Sequence, residues 1–144
     1  MKIAIDVGGV LIEKSISEQV GEDTVFNPND IQWVPGALDA IRTLATSGHI
    51  LYILSFCGKR REMETRIALK TSGVDTWINE SNWFFVRNRR LKAPCMKEHN
   101  LELLIDDTHE VVKHCRSNDI QVLHFRSDTN AIDWPSVINT INTL

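Results

Sequence analysis

The sequence has few cysteines and lacks any long apolar run. Cys57, Cys95 and Cys115 are odd in number, lie far apart and form no CxxC pair. This argues against a disulfide framework or a zinc site and indicates reduced thiols. No apolar run approaches the ~20 residues that span a membrane, and the apolar run after Lys2 is too short for the core of a signal peptide. We therefore expect a cytoplasmic protein with no membrane partner.

A strong excess of charge of either sign is also absent. The 16 Lys and Arg residues are balanced by 19 Asp and Glu residues, and the formal net charge is -3. This balance argues against a nucleic-acid binder that works through bulk positive charge, although it is compatible with a local basic patch. With 144 residues and 42% apolar content, the chain is predicted to form a single domain, residues 1–144, that folds without disulfides.

Short apolar segments alternate with helix-like segments along the chain. We predict strands at Lys2–Ile5, Ile50–Leu54, Leu101–Ile105 and Ile120–Phe125, with further strand pieces at Trp77–Ile78 and Trp83–Val86. We predict helices from Pro35 to Gly48, over Lys59–Thr71, after Pro94, over His109–Ser117 and from Trp134 onwards. This alternation is typical of an α/β protein with a mainly parallel sheet. The polar stretch from Leu11 to Gln32 is predicted to be a loop or flap.

Apolar spacing predicts which helix side chains face the core. They are Leu38, Ile41, Leu44 and Ala45 in the first helix, Met63, Ile67 and Leu69 in the second, and Val137, Ile138 and Ile141 in the last. Ile50–Leu54 is apolar at every position, which favours a central parallel strand buried on both faces. The four tryptophans are expected in the core.

Polar side chains follow three of the predicted strands at the point where each strand ends. Asp6 follows the first, Ser55 the second, and the pair Asp106-Asp107 a later one. Because the carboxyl ends of parallel strands lie at one edge of the sheet, we expect Asp6 and Asp106 to converge there. Two carboxylates with a backbone carbonyl and waters can hold Mg²⁺ against a phosphate. A serine hydroxyl and a lysine amine can bind the phosphate oxygens.

These residues resemble, in their order, the four motifs of the haloacid dehalogenase (HAD) superfamily of phosphatases and phosphotransferases. The matching segments are IAIDVGGVL, ILYILS, Lys92 and LLIDD. Lys92 precedes Asp106 by 14 positions in the sequence, a spacing that is common in this superfamily. The resemblance spans nearly the whole chain, and it implies a Rossmann-like three-layer sandwich around a mainly parallel sheet.

The resemblance also implies a reaction, Mg²⁺-dependent hydrolysis of a phosphomonoester. Asp6 would be the nucleophile and would form an aspartyl-phosphate. The metal ligands would be Asp6, the backbone carbonyl of Gly8 and an acid from the pair Asp106-Asp107. Which acid of the pair binds the ion directly stays open.

The remaining implied roles concern the phosphorylated substrate. Ser55 would donate a hydrogen bond to a phosphate oxygen, and Lys92 would neutralise both Asp6 and the transferred group. Gly8 and Gly9 would let the backbone approach the phosphate closely. Asp6, Ser55 and Lys92 are therefore the predicted catalytic residues.

One position departs from the family pattern. Gly8 stands where the superfamily usually has a second aspartate, which protonates the leaving group and then activates water. Loss of general acid–base help costs roughly 10²–10⁴-fold in rate, yet some members that are similar at this point are still phosphatases. The alternative function is therefore a catalytically weak or inactive protein that binds a phosphorylated partner. The acids that could stand in are Glu13, Glu18, Glu22 and Asp23, and the sequence does not rank them.

The sequence has no room for a large cap domain after the first motif or between Ser55 and Lys92. An open site suits a phosphate on a large substrate, such as a nucleic-acid end or a phosphoprotein, or a site that a neighbouring subunit of an oligomer closes. The stretch from Ser81 to Lys97 lacks acids and carries Arg87, Arg89, Arg90, Lys92 and Lys97, and Lys59-Arg60-Arg61 follows Ser55. Trp83, Phe84 and Phe85 precede the first of these basic runs, and stacking beside cations is how single strands are held.

Each assignment has a structural alternative. Asp6 and Ser55 could be ordinary strand-end groups, and Asp107 could cap a helix with Glu110 as its partner. Lys97 competes with Lys92, and Cys57 is expected to be a bystander. The segment IDVGGV also resembles the phosphate loop of the sugar-kinase and actin-like ATPase superfamily. That fold needs two domains and a second phosphate loop, for which the sequence offers neither the length nor another glycine-rich loop.

Overall fold

Five parallel strands form one sheet in the computed structural model, which describes residues 1–13 and 26–144. The strands are β1 (Lys2–Ile5), β2 (Ile50–Phe56), β3 (Trp83–Val86), β4 (Leu103–Asp106) and β5 (Val122–His124). Their spatial order is β3-β2-β1-β4-β5, and every neighbouring pair is parallel. The direction of winding reverses at β1, so the carboxyl ends of β1 and β4 flank the point where open α/β sheets bind ligands.

Helices cover both faces of the sheet. They are α1 (Ala37–Thr46), α2 (Lys59–Thr71), α3 (Lys92–Glu98), α4 (His109–Ser117) and α5 (Trp134–Asn142). The apolar residues of α1, α2 and α5 pack with Ile3 and Ile5 of β1, whereas those of α3 and α4 pack with Ala4. Successive side chains of a strand point to opposite faces, so the two cores lie on opposite sides of the sheet. The predicted three-layer α/β sandwich is therefore confirmed.

The predicted orientation of α2 is wrong for two residues. Met63 is 62% exposed and Ile67 is 46% exposed. The buried stripe instead runs through Glu64, Thr65, Ala68 and Leu69. Glu64 can be buried there because Arg61, one turn earlier, lies 2.7 Å from its carboxylate. A pattern that counts only apolar residues does not register a buried acid that is neutralised by its own helix.

Other differences are local. Leu38 of α1 is exposed, and Trp77–Ile78 is not a strand, since Trp77 has helical backbone angles at the end of a short 3-10 turn, Val74–Thr76. Trp83 and Trp134 are in the core as predicted, but Trp77 is exposed and Trp33 is half-buried.

The predicted flap is described only at its two ends. Ile12 makes isolated bridges to Gly8 and to Trp33. Glu18, Glu22 and Asp23, which were candidates for the acid–base role, lie outside the described residues. Over residues 1–13 and 26–144, no helix or strand forms a cap domain above the sheet. In the same ranges, each helix is too short or too polar to cross a membrane.

Candidate active site

The carboxyl ends of β1, β2 and β4 bring the predicted side chains to one edge of the sheet. Ile5 of β1 is in register with Ile53 of β2 and with Ile105 of β4. Asp6 and Asp106 are each the next residue along, and the Asp6 amide donates a hydrogen bond to the Ile105 carbonyl at 3.0 Å. The expected convergence of Asp6 and Asp106 is therefore confirmed.

Lys92 lies between the two aspartates. It is the first residue of α3 and is only 2% exposed. Its Nζ donates to Asp6 Oδ1 at 3.0 Å and to Asp106 Oδ2 at 2.7 Å. Burial opposes the positive charge, but the two carboxylates outweigh it and raise the pKa of Lys92 above its ordinary value. Lys92 is thus a fixed cation at the base of the site, while its competitor Lys97 is exposed at the other end of α3.

The cluster that Lys92 forms with the neighbouring carboxylates has more acidic than basic groups. Carboxylate oxygens of Asp6, Asp106 and Asp107 lie within 4.8 Å of one another, and the Lys92 ammonium contacts two of the three residues, Asp6 and Asp106. Burial raises the pKa of Asp6 well above its ordinary value, and repulsion from Asp106 and Asp107 adds to the rise, against the opposing effect of Lys92. A further positive charge beside Asp6 would relieve this imbalance.

Asp107 and Asp106 differ in the hydrogen bonds that their carboxylate oxygens accept. Asp106 is fully buried, and its Oδ1 accepts a hydrogen bond from the Thr108 amide at 2.9 Å while its Oδ2 accepts from Lys92. Asp107 Oδ1 is buried and has no hydrogen-bond donor among the described residues. Burial and the charge of Asp106 raise the pKa of Asp107. An unpartnered carboxylate oxygen in a cluster of acids is the kind of ligand that Mg²⁺ takes, so the residues present fit a divalent cation.

The backbone at the start of α4 excludes a helix-capping role for Asp107. The residue that caps α4 is Thr108, which makes no capping hydrogen bond through its side chain. The predicted alternative, a helix cap by Asp107, is therefore wrong. Gly9 has a φ of 81°, and a Cβ at that position would run into the Asp107 carboxylate. Glycine at position 9 is thus needed both for the backbone conformation and for the close approach of Asp107.

A cavity of about 480 Å³ opens above these groups. The predicted site residues that line it are Asp6, Gly8, Gly9, Ser55, Lys92 and Asp107. Asp106 is fully buried and does not line the cavity, but its carboxylate contacts Lys92, which does. Six of the seven predicted residues thus share one cavity, and the seventh supports them.

Several residues that line the cavity were not assigned a role from sequence. Arg61 of α2 and Arg89, which begins a 3-10 turn at Arg89–Leu91, both line it. The Arg89 guanidinium lies over the Phe56 ring, 5.1 Å from its centroid. The signal in the sequence was the pair of basic runs, but only one arginine of each run reaches the cavity. Cys57 also lines it, and burial raises the pKa of its thiol, which disfavours the reactive thiolate.

The aromatic residues before the first basic run lie elsewhere. Trp83 is 4% exposed, and its indole N–H donates to the Ile78 carbonyl. Phe84 stacks on His99, and Phe85 lies beneath the Arg66 guanidinium. None of the three rings lines the cavity. They therefore do not supply a stacking surface beside the candidate active site.

No family model and no curated protein sequence matches the chain. Solved structures do match it. A HAD-superfamily hydrolase from Geobacter sulfurreducens PCA has a TM-score of 0.65 at 10% identity, over 97% of this chain and 95% of that chain. A haloacid dehalogenase-like hydrolase from Xanthomonas campestris has a TM-score of 0.67 at 9% identity, over 99% and 96%.

A third similar structure is a D,D-heptose bisphosphate phosphatase from B. bronchiseptica, complexed with magnesium and phosphate. Its TM-score is 0.64 at 11% identity, over 99% of each chain. Identities this low establish architecture and not activity. The chain therefore has the fold of the haloacid dehalogenase superfamily of hydrolases.

Proposed function

We propose that this protein is a Mg²⁺-dependent phosphomonoester hydrolase whose nucleophile is Asp6. The observation that carries the proposal is a buried cluster of charged groups. In it, Lys92 contacts Asp6 and Asp106, while Asp107 Oδ1 has no hydrogen-bond donor among the described residues. The HAD fold supports it, because the structures that share this fold include a phosphatase complexed with magnesium and phosphate.

The metal would be held by Asp6, Asp107 and the backbone carbonyl of Gly8. We favour Asp107 over Asp106 as the direct ligand because both oxygens of Asp106 already accept hydrogen bonds. When bound, Mg²⁺ supplies positive charge that lets an anionic phosphate approach an anionic carboxylate. Asp106 then acts mainly by holding Lys92 in place.

The protein's own groups would act as follows. Lys92 orients Asp6 through its hydrogen bond and offsets negative charge on the arriving phosphate. Ser55, at the end of β2, donates its hydroxyl hydrogen to a phosphate oxygen. An Asp6 oxygen forms a bond to phosphorus as the ester P–O bond breaks, and the departing oxygen takes up a proton. Water then hydrolyses the aspartyl-phosphate, which releases phosphate and restores Asp6.

Residue 8 cannot donate a proton to the leaving group, because glycine has no side chain. Glu13 lines the same cavity, but both of its oxygens accept hydrogen bonds from Arg126, at 3.1 and 3.2 Å. Gly8 therefore favours a second candidate function, a phosphate-binding protein with slow turnover. Substrates whose leaving group needs no proton should separate the two functions.

The experiment is phosphate release from p-nitrophenyl phosphate and from glycerol phosphate, with MgCl₂ or with EDTA. We expect Mg²⁺-dependent turnover that is faster for the aryl ester, because p-nitrophenolate leaves without protonation. Asp6→Asn should lower kcat by on the order of 10⁴-fold or more, as is typical when a nucleophile is removed. Activity that survives in Asp6→Asn would exclude Asp6 as the nucleophile.

Gly8→Asp provides the complementary change. It restores an acid at the position that lacks one, and it should accelerate hydrolysis of the alkyl ester by roughly 10²–10⁴-fold. If the wild-type protein hydrolyses neither ester and Gly8→Asp gains activity, the phosphate-binding function is the correct one.

A further inference from the structure

A second cavity, of about 270 Å³, adjoins the candidate active site. It lies between the turn Arg89–Leu91 and α4, and Arg89 and Val111 line both cavities. We refer to it as the flanking groove. Its charged lining consists of Arg89, Arg90, Lys113 and Glu110. The groove and the active-site cavity are therefore adjacent, and Arg89 and Val111 form part of the wall of each.

The flanking groove carries an excess of positive charge. Arg89 lies 3.8 Å from Glu110, the single acid of the lining among residues 1–13 and 26–144. Arg90 and Lys113 are exposed, and neither forms an ion pair with any residue in the described part of the chain. In a protein whose net charge is -3, a concave surface with two uncompensated cations is electrostatically complementary to an anion.

The chemistry of the lining favours phosphate. An arginine fork and a lysine ammonium are the donors that proteins use most often to bind phosphate oxygens. Arg89 stands between this surface and the cavity that contains Asp6 and Lys92, so an anion in the groove would be a near neighbour of a phosphate at Asp6. One molecule with two phosphate groups could occupy both places.

We infer that the flanking groove is a subsite for a second phosphate group of the substrate. This inference rests on the function proposed above, which places the first phosphate, the scissile one, beside Asp6. The substrate class is a phosphomonoester that carries another phosphate, or a phosphodiester, close to the scissile group. The phosphorylated end of an oligonucleotide and a small bisphosphate share this chemistry.

Equilibrium binding tests the subsite without requiring turnover. The protein is the full chain carrying Asp6→Asn, and the probe is a fluorescent pentathymidylate with a 5′-phosphate, followed by anisotropy. The test variant adds Arg90→Gln and Lys113→Gln. The matched control adds Lys97→Gln and Lys2→Gln, which remove the same charge from residues that line neither cavity.

We expect the test variant to raise Kd by about tenfold, the combined effect of two exposed charge contacts. Its slope of log Kd against log salt should fall by about 1.4, because each lost contact with a single strand contributes about 0.7. The control should stay within about twofold of the parent protein. Equal weakening in test and control variants, or no weakening in the test variant, would overturn the subsite.

Competitors distinguish the sources of the second phosphate. Thymidine monophosphate should compete at least about tenfold more weakly than the phosphorylated pentathymidylate, and equal competition would overturn the subsite. Fructose bisphosphate that competes as well as the oligonucleotide supports the subsite and assigns it to small bisphosphates. An oligonucleotide without its terminal phosphate that binds as tightly contradicts the inferred link between the two cavities.

The outcomes also separate this inference from the proposed function. If the protein with Asp6 intact releases no phosphate from any ester and the test variant still loses affinity, the phosphate subsite stands and the hydrolase function fails. If the protein is an active hydrolase and the test variant binds the probe as the control does, the hydrolase function stands and the subsite fails.

Discussion

The buried cluster and the flanking groove hold their charges in opposite ways. In the cluster, Lys92 is nearly inaccessible to water and each of its two carboxylate partners lies within 3.0 Å. In the groove, Arg90 and Lys113 are exposed and have no ion-pair partner among the described residues. The cluster is thus a fixed arrangement of charges, whereas the groove offers charges that an incoming ligand can still use.

The difference follows from solvation. A buried ion that loses its partner has no water to replace it, so breaking such a pair is strongly destabilising. An exposed cation is screened by water and salt, and its removal changes stability little. Substitutions in the cluster should therefore affect folding and chemistry together. Substitutions in the groove should affect ligand affinity alone.

The largest effect on stability is expected for Lys92→Met. The substitution leaves Asp6 and Asp106 facing each other without a cation, and it should lower the free energy of unfolding by about 3–5 kcal/mol. Urea denaturation in EDTA measures this. Lys97→Met, on the exposed end of the same helix, is the control and should change stability by less than about 0.5 kcal/mol. If the two variants lose similar free energies of unfolding, the buried ion pairs of Lys92 stabilise the protein no more than the exposed Lys97 does.

The next effect concerns metal binding. Mg²⁺ at a hundredfold excess over its Kd should raise the free energy of unfolding by about 2.7 kcal/mol, because the ion neutralises carboxylates that repel one another in the native state. Asp107→Asn should remove most of this gain, whereas Asp39→Asn, at an exposed position on α1, should retain it. Stabilisation that persists in full in Asp107→Asn would assign the direct ligand to Asp106.

A smaller effect is expected from pH in the absence of metal. The pKa of Asp6 is raised in the native state above its ordinary value of 3.8, so the native protein keeps a proton that the unfolded chain releases. The contribution of this group to stability is complete below the ordinary pKa and is lost as the pH rises through the raised one. Between pH 4 and pH 7, stability should fall more steeply in the wild-type protein than in Asp6→Asn. Parallel urea-denaturation curves for the two proteins would contradict the raised pKa.

The smallest effect is expected in the groove. Arg90→Gln and Lys113→Gln should each change the free energy of unfolding by less than about 0.5 kcal/mol, because each side chain is exposed and has no ion-pair partner in the described part of the chain. Thermal denaturation of the two single variants tests this. A loss of more than 1 kcal/mol in either one would show that the groove is held together by its cations and would remove the contrast with the cluster.

Much of the local structure could be predicted from the sequence. The bounds of β1, α2 and α4 agree with those predicted from apolar runs and from glycine and proline positions. These signals are local, because an apolar run with flanking helix breakers carries its own tendency to form a strand or a helix. The carboxylates were placed correctly at strand ends for the same reason, since each one directly follows its apolar run.

Orientation around a helix was harder to predict. Met63 and Ile67 are apolar yet exposed, and Glu64 is charged yet buried. Which face of α2 is covered depends on the strands beneath it and on the Arg61–Glu64 ion pair, and neither is visible in apolar spacing. The exposure of Trp77 was missed for a similar reason, because Trp77 ends a 3-10 turn and does not belong to the strand predicted at Trp77–Ile78.

The sequence by itself determined the alternation of strands and helices, the carboxylates at the ends of β1 and β4, and the absence of an acid at Gly8. Only the tertiary structure decided how the charges meet. Lys92 and Asp6 are 86 positions apart, and they touch because the crossover from β3 returns across the sheet to β4, beside β1. In the same packing, both oxygens of Asp106 accept hydrogen bonds, whereas one oxygen of Asp107 has no hydrogen-bond donor among the described residues. This packing also places the flanking groove beside the active-site cavity. Local preferences specify the elements, but distances between their ends arise only when the elements pack around a shared core.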